Sequence, residues 1–269
     1  MTKNIITFGS QKGGVGKTTL TLNIGYELSK MGHKVILIDL DPQASLSKNL
    51  LGENELAKYK GIEELFLNDK LNPYDFIVET KIKNLHILPC HNELSSVSAK
   101  ILLDSTSFFA LKDIIGKIDD ADGRSDFCLI DTPPSLGILT LNSFIASQKL
   151  IVPISPAIYS MLGVNDLLQS VEKAKKNLNP NLEILGVCLT MMDRRANLYL
   201  QIEKEVREFF SDKVFETTTS RTVKNEIAIV EGVGVSGIDE TCKLACEYKS
   251  LTLEILARLT GVWNGKRLF

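Results

Sequence analysis

Gly9-Ser10-Gln11-Lys12-Gly13-Gly14-Val15-Gly16-Lys17-Thr18-Thr19 combines small residues, lysines and hydroxyls at a spacing suited to phosphate chemistry. Gly13, Gly14 and Gly16 let a backbone turn tightly with its N–H groups inward, and a helix starting just beyond them adds the positive end of its dipole. In such a cradle Lys17 supplies a point charge between β- and γ-phosphate, and the Thr18 hydroxyl is placed to ligate Mg²⁺. The predicted nucleotide-binding run is Gly13, Gly14, Val15, Gly16, Lys17, Thr18 and Thr19.

Two acidic strings complement it. In Val35-Ile36-Leu37-Ile38-Asp39-Leu40-Asp41-Pro42-Gln43-Ala44 an apolar run passes into two carboxylates and a proline that stops a strand. At the C-terminal edge of a doubly wound sheet, where ligands sit, Asp41 could orient or activate an attacking water. Asp39 has two roles open to it, support of the magnesium shell or capping of a turn. In Asp126-Phe127-Cys128-Leu129-Ile130-Asp131-Thr132-Pro133-Pro134-Ser135-Leu136-Gly137 a hydrophobic run again leads to an acid. This is a Walker B arrangement, in which Asp131 holds Mg²⁺ through water and the Pro-Pro turn forms a stiff switch able to respond to γ-phosphate.

The apolar pattern foretells the elements that must position these residues. Short runs at Ile5–Gly9, Val35–Ile38, Leu85–Leu88, Phe127–Ile130, Leu150–Ile154 and Ile184–Thr190 predict buried strands. Helical spacing joins Leu20, Ile24, Leu28 and Met31, with Gly32 as the stop, and likewise Val164, Leu167, Leu168, Val171, Ala174 and Leu178. It returns in Leu198, Ile202, Val206 and Phe209, and in Leu244, Tyr248, Leu251, Ile255 and Leu259. The alternation implies right-handed crossovers and an α/β fold: a doubly wound, mostly parallel sheet with helices on both faces. Without a linker or repeat, residues 1–269 are expected to form one domain. The polar stretch Gly52–Lys83 lacks clear periodicity and predicts a loop and short-helix excursion, of a kind that often carries function at a strand edge.

Composition narrows the function classes. With 44% hydrophobic and 24% charged residues in 269, disordered, collagen-like and fibrous chains are excluded. Lys plus Arg total 31 against 33 acids, a net charge of −2, so any basic patch must be local. Five scattered cysteines, Cys90, Cys128, Cys188, Cys242 and Cys246, are expected to be reduced, and the i,i+4 pair Cys242 and Cys246 lacks a further metal ligand nearby. No apolar stretch reaches the length of a membrane span, and the N-terminus does not read as a signal peptide, so a cytoplasmic location is expected.

The phosphate loop belongs to the P-loop class, yet a second lysine, Lys12, intrudes five residues before Lys17. The string from Lys12 to Thr19 resembles the deviant Walker A box of the ParA/MinD ATPases. That resemblance implies that Lys12 reaches across a nucleotide-sandwich homodimer to the partner's phosphates, as an arginine finger does. Asp39 to Gln43 resembles the switch I motif of the same family, whose second Asp is the hydrolytic one; the catalytic set implied is Lys12, Lys17 and Asp41. Together with Val152-Pro153-Ile154, the run Leu189 to Leu198 and Lys213-Val214-Phe215, these boxes resemble ParA-type partition ATPases over nearly the whole chain. Because the sequence starts at its first strand, it resembles the short form without an N-terminal helix-turn-helix domain.

The resemblance implies ATP and Mg as cofactors, non-specific DNA and a ParB-like centromere-binding protein as partners, and a nucleoid-associated location. It places Arg194, Arg195, Arg221 and Lys224 on a basic surface spanning the dimer; each also reads as solvated surface charge. The sequence departs from the family at Leu162, where Glu commonly precedes Gly163, and at Ser220-Arg221-Thr222, where Pro-Arg-Asn is common. Those departures bear on the roles of Asp193 and Arg221. The tail Trp263 to Phe269 has the aromatics and cations of an interfacial anchor, but Gly261 and Gly265 interrupt its helix, and a membrane partner is not expected. Two rival functions share the loop: a MinD-like membrane-cycling positioning factor, and a metabolic enzyme that phosphorylates a carboxylate before amidation.

Overall fold

In the computed structural model, which describes residues 4–122, 125–159 and 161–262, seven strands form one sheet. They are β1 (Asn4–Phe8), β2 (Val35–Asp39), β3 (Val78–Glu79), β4 (Leu85–Leu88), β5 (Phe127–Asp131), β6 (Lys149–Ile154) and β7 (Glu183–Leu189). Their order is β3-β4-β2-β5-β1-β6-β7, and only β3 runs antiparallel to its neighbour. The predicted α/β architecture is therefore present. Parallel strands need helical crossovers, which cover both faces and make the central strands apolar throughout.

Alternate residues of those strands enter different cores. Val35, Leu37, Phe127 and Leu129 pack with Leu20, Ile24 and Leu28 of α1 (Lys17–Lys30) and with Leu251 and Ile255 of the C-terminal helix Lys243–Leu259. Ile36, Ile38, Cys128 and Ile130 face the other way, onto Leu94, Ile114 and Leu139 of the helices Leu94–Ile101, Ala110–Asp122 and Ile138–Ala146. A third cluster joins β6 and β7 to the helices Met161–Asn177 and Asn197–Phe210. Truncating a fully buried residue such as Leu37 costs about 2–5 kcal/mol, so the sheet is a stiff platform for the loops at its C-terminal edge.

The structure differs from the sequence-based expectations at three points. β2 and β5 run one residue past their apolar stretches, because Asp39 and Asp131 continue the ladder and pair in register. Gly52–Lys83 is less an open excursion than part of the second core: Leu56, Ile62, Leu65, Phe66 and Phe76 are buried in it, on the helices Glu53–Leu56 and Ile62–Leu67 and the 3₁₀ turn Pro73–Phe76. The helix Val223–Glu231 was not among the expected elements; its buried residue is Ala228. Among the described residues no helix is long and apolar enough to cross a membrane. The tail Trp263 to Phe269 lies outside the described residues.

Candidate functional site

β1 ends at Phe8 and the chain loops to α1 through residues that only a glycine-rich sequence could supply. Gly16, the residue before the helix, has φ 89°, and Gly14 has φ 70°, both in the left-handed region that favours glycine. No side chain caps α1, so its first-turn N–H groups remain directed at the loop. The loop is pinned from beneath: the Thr190 hydroxyl, just past β7, donates to the Val15 carbonyl at 2.8 Å, and Gly9 N donates to Ile151 O at 3.1 Å. Lys17 is 6% exposed and its Nζ donates to Lys12 O at 3.3 Å. Burial lowers its pKa, while Asp131 and Asp41 pull the other way.

Asp39 and Asp131 are neighbours because they end adjacent parallel strands in register. The Thr18 hydroxyl donates to Asp131 Oδ2 at 2.5 Å, whereas Asp131 Oδ1 is buried with no hydrogen-bond partner among the described residues. Its carboxyl is held well above the usual range, first by burial and then by Asp39. A buried carboxylate oxygen without a donor, beside a threonine hydroxyl and a buried lysine, is a donor set suited to a hydrated hard cation.

Asp39 is differently occupied. Its Oδ2 accepts Ser47 N at 2.9 Å and Ser47 Oγ at 2.8 Å, while Oδ1 accepts Asp41 N at 3.1 Å. These bonds tie it to the first turn of α2 (Ser45–Leu51) and to the loop between. Burial pushes its pKa up to about 6 against those hydrogen bonds. Asp41 is half-buried; its carbonyl accepts Ala44 N at 2.7 Å and the Cys90 thiol at 3.0 Å, and its Oδ1 accepts Gln43 N at 3.0 Å. Opposite, the Pro-Pro turn lies against the phosphate loop, where a Cβ on Gly13 would sit 3.8 Å from Pro134.

Lys12 runs along Gly163: a Cβ built there would come within 2.8 Å of Lys12 Cε, so glycine leaves room for the side chain. Beside the loop opens a cavity of about 370 Å³, whose lining includes Gly14, Gly16 and Thr19 and also Thr219, Ser220 and Arg221. Sequence reasoning singled out Ser220-Arg221-Thr222 without making it this wall, and it gave Thr190, Ser47 and Gly163 no part in the site. Hydroxyl residues flanking Arg221 and Met191 were the available signal.

The four candidate cations separate. Arg195 is tied to Asp193 through Nε and Nη2, each at 2.8 Å, which holds the Asp193 carboxyl down at about 2. Lys224 is paired with Asp239, and Arg194 lies 3.4 Å from both Glu203 and the Thr218 hydroxyl. Arg221 is exposed and has no ion-pair partner among the described residues. A wider groove of about 840 Å³ is lined by all four.

A parallel sheet, a glycine loop feeding a helix, and an acid at the end of the strand beside it define a P-loop nucleoside triphosphatase fold of the deviant Walker A class. Residues 3–184 match a family model described as an AAA domain. The chain is 36% identical to the chromosome-partitioning ATPase Soj of Treponema pallidum over 94% of its own length and 97% of that protein. It is 34% identical to the chromosome partitioning protein ParA of Caulobacter vibrioides, over 94% of each. A solved structure of cobyrinic acid a,c-diamide synthase from Mycobacterium smegmatis, with bound ADP and magnesium, superposes with a TM-score of 0.83 at 28% identity, covering 99% of this chain and 98% of that one. The chain belongs to the ParA/Soj family of partition ATPases.

Proposed function

We propose that this protein is an ATP-dependent dimerising switch for DNA partition. Support comes from the span of its likeness to partition ATPases, 94% of the chain, which takes in the Asp193–Arg195 and Arg221–Lys224 segments as well as the phosphate loop. The seven strands in a single sheet support treating residues 1–269 as one ATPase domain.

In this proposal Gly13 to Thr19 bind the triphosphate of ATP and Lys17 neutralises it. Thr18, Asp131 and Asp39 would hold magnesium, the acids through water, and Asp39 also fixes the Asp41 loop. Magnesium, when bound, supplies neutralisation of the β- and γ-oxygens. Asp41 orients the attacking water. The cavity bounded by Thr219 to Arg221 takes the base. The ATP-bound homodimer holds DNA of any sequence through Arg194, Arg195, Arg221 and Lys224, and a ParB-like partner stimulates hydrolysis and release. The protein then works in the cytoplasm, on the nucleoid.

Lys12 provides the test of the sandwich. Its carbonyl, not its side chain, meets Lys17, so Lys12→Ala leaves that contact intact. The variant is expected to bind ATP within about threefold of wild type as a monomer, yet to show no ATP-dependent dimer in sedimentation velocity. Undisturbed dimerisation and hydrolysis would remove the trans-acting role.

The likeness to a diamide synthase favours one second function, amide formation through a phosphorylated carboxylate. ATP turnover that needs no small-molecule acid argues against it; turnover that depends on one establishes it.

A further inference from the structure

We propose that Glu247 is a positioning residue for the nucleotide base, holding the outer wall of the cavity through Ser220. The inference rests on the placement of the base proposed above. Residues 214–220 run beside β7 as an incomplete extra strand, bridging it at Val187 with Val214 and reaching Met192 at Ser220. Phe215 N and Thr219 N donate to Val187 O and Leu189 O at 2.9 and 3.0 Å. The amides of residues 216, 217 and 220 have no strand to bond, and two carboxylates from the C-terminal helix take them.

Glu254 accepts Glu216 N at 2.9 Å and Thr217 N at 3.1 Å, and is itself locked by Arg258 at 3.0 Å. Glu247, seven residues earlier and so two turns along the same face, accepts both Ser220 N at 2.7 Å and Ser220 Oγ at 2.8 Å on a single oxygen, Oε2. Its other oxygen faces Lys243 Nζ at 3.6 Å, an ammonium largely in solvent. The two carboxylates differ in what they hold. Glu254 serves the core beneath Arg258 and Phe215. Glu247 ends on Ser220 in the cavity wall, and its neighbours Leu244 and Tyr248 line the same cavity. Without Glu247 the Ser220 amide and hydroxyl lose their shared acceptor, and the Thr219–Thr222 wall is free to shift away from the base while the phosphate loop, on β1 and α1, stays in place.

Glu247→Ala and Glu247→Gln separate a hydrogen bond from a charge, because one amide oxygen can replace Oε2 for both donors. Competition binding with magnesium compares ATP with inorganic tripolyphosphate, which carries the phosphates and no base. Glu247→Ala is expected to weaken ATP about tenfold, the scale of one lost buried hydrogen bond, and to leave tripolyphosphate within about twofold of wild type. Glu247→Gln is expected to restore ATP binding. Ala binding ATP as wild type does, Ala losing both ligands in parallel, or Gln failing like Ala would overturn the role. Wild-type protein that holds tripolyphosphate as tightly as ATP overturns it too, by removing the base from the cavity while sparing the phosphate site. Wild type binding neither overturns the phosphate site as well.

Discussion

Lys17→Ala is expected to abolish ATP binding at micromolar nucleotide, with an affinity loss of at least about a hundredfold, the scale of a lost charge-assisted contact in a buried site. Lys17 is 6% exposed, in the cradle between Asp131 and the Lys12 carbonyl. Burial lowers its pKa, and Asp131 and Asp41 act in the opposite direction. Removing it leaves the loop's N–H groups as the remaining compensation for phosphate charge, and dimerisation should fail with binding. Isothermal titration with Mg-ATP checks this; a variant holding ATP within about threefold of wild type would show that Lys17 is not the phosphate cation.

Asp41→Ala should give the opposite phenotype. ATP affinity is expected to stay within about threefold of wild type while hydrolysis falls about 10²–10⁴-fold, the usual worth of a positioned acid–base group. Asp41→Ala removes one anchor of the loop, the bond from Gln43 N to Oδ1, and keeps the backbone ones: Asp41 N donates to Asp39, and Asp41 O accepts Ala44 N and the Cys90 thiol. What disappears is a half-buried carboxylate whose charge is felt at Lys17. Size exclusion with ATP should then show a persistent dimer releasing little phosphate. Hydrolysis at the wild-type rate would move the catalytic role to another residue.

The phosphate loop and the two strand-end acids were legible because each is a local string whose chemistry depends on neighbours in sequence: glycines before Lys17, and apolar runs before Asp39 and Asp131. Their meeting followed from parallel strands, since two acids ending adjacent strands must lie side by side. The partner of Asp39 was not legible. Ser47 reaches it because the chain turns at Ala44 with φ 54°, an uncommon conformation for alanine that nothing in the apolar pattern announces. Nor was the cavity, whose walls come from widely separated stretches, some of them joined by isolated bridges and by carboxylate side chains. The pairing of Arg195 with Asp193 and of Lys224 with Asp239 was equally hidden, although the Asp193 pair lies only two residues apart, because charge order alone does not fix which carboxylate a cation meets.

That pairing sharpens the proposed DNA surface. Arg195 and Lys224 must leave a carboxylate to meet a phosphate, whereas Arg221 is exposed and already without an ion-pair partner among the described residues. Arg221→Ala, at a residue that also edges the cavity proposed for the base, is accordingly expected to weaken DNA binding most at saturating ATP, on all sequences alike. The proposed two-fold dimer would double the cations on one face, and each neutralised phosphate would steepen the fall of log affinity with log salt by about 0.9. The central claim, that ATP switches this protein onto DNA, is tested most directly by a salt titration of wild-type protein on two unrelated duplexes with and without ATP. The expected result is tight, salt-steep and sequence-indifferent binding that requires ATP; binding that ignores nucleotide, or that strongly prefers one duplex, would contradict it.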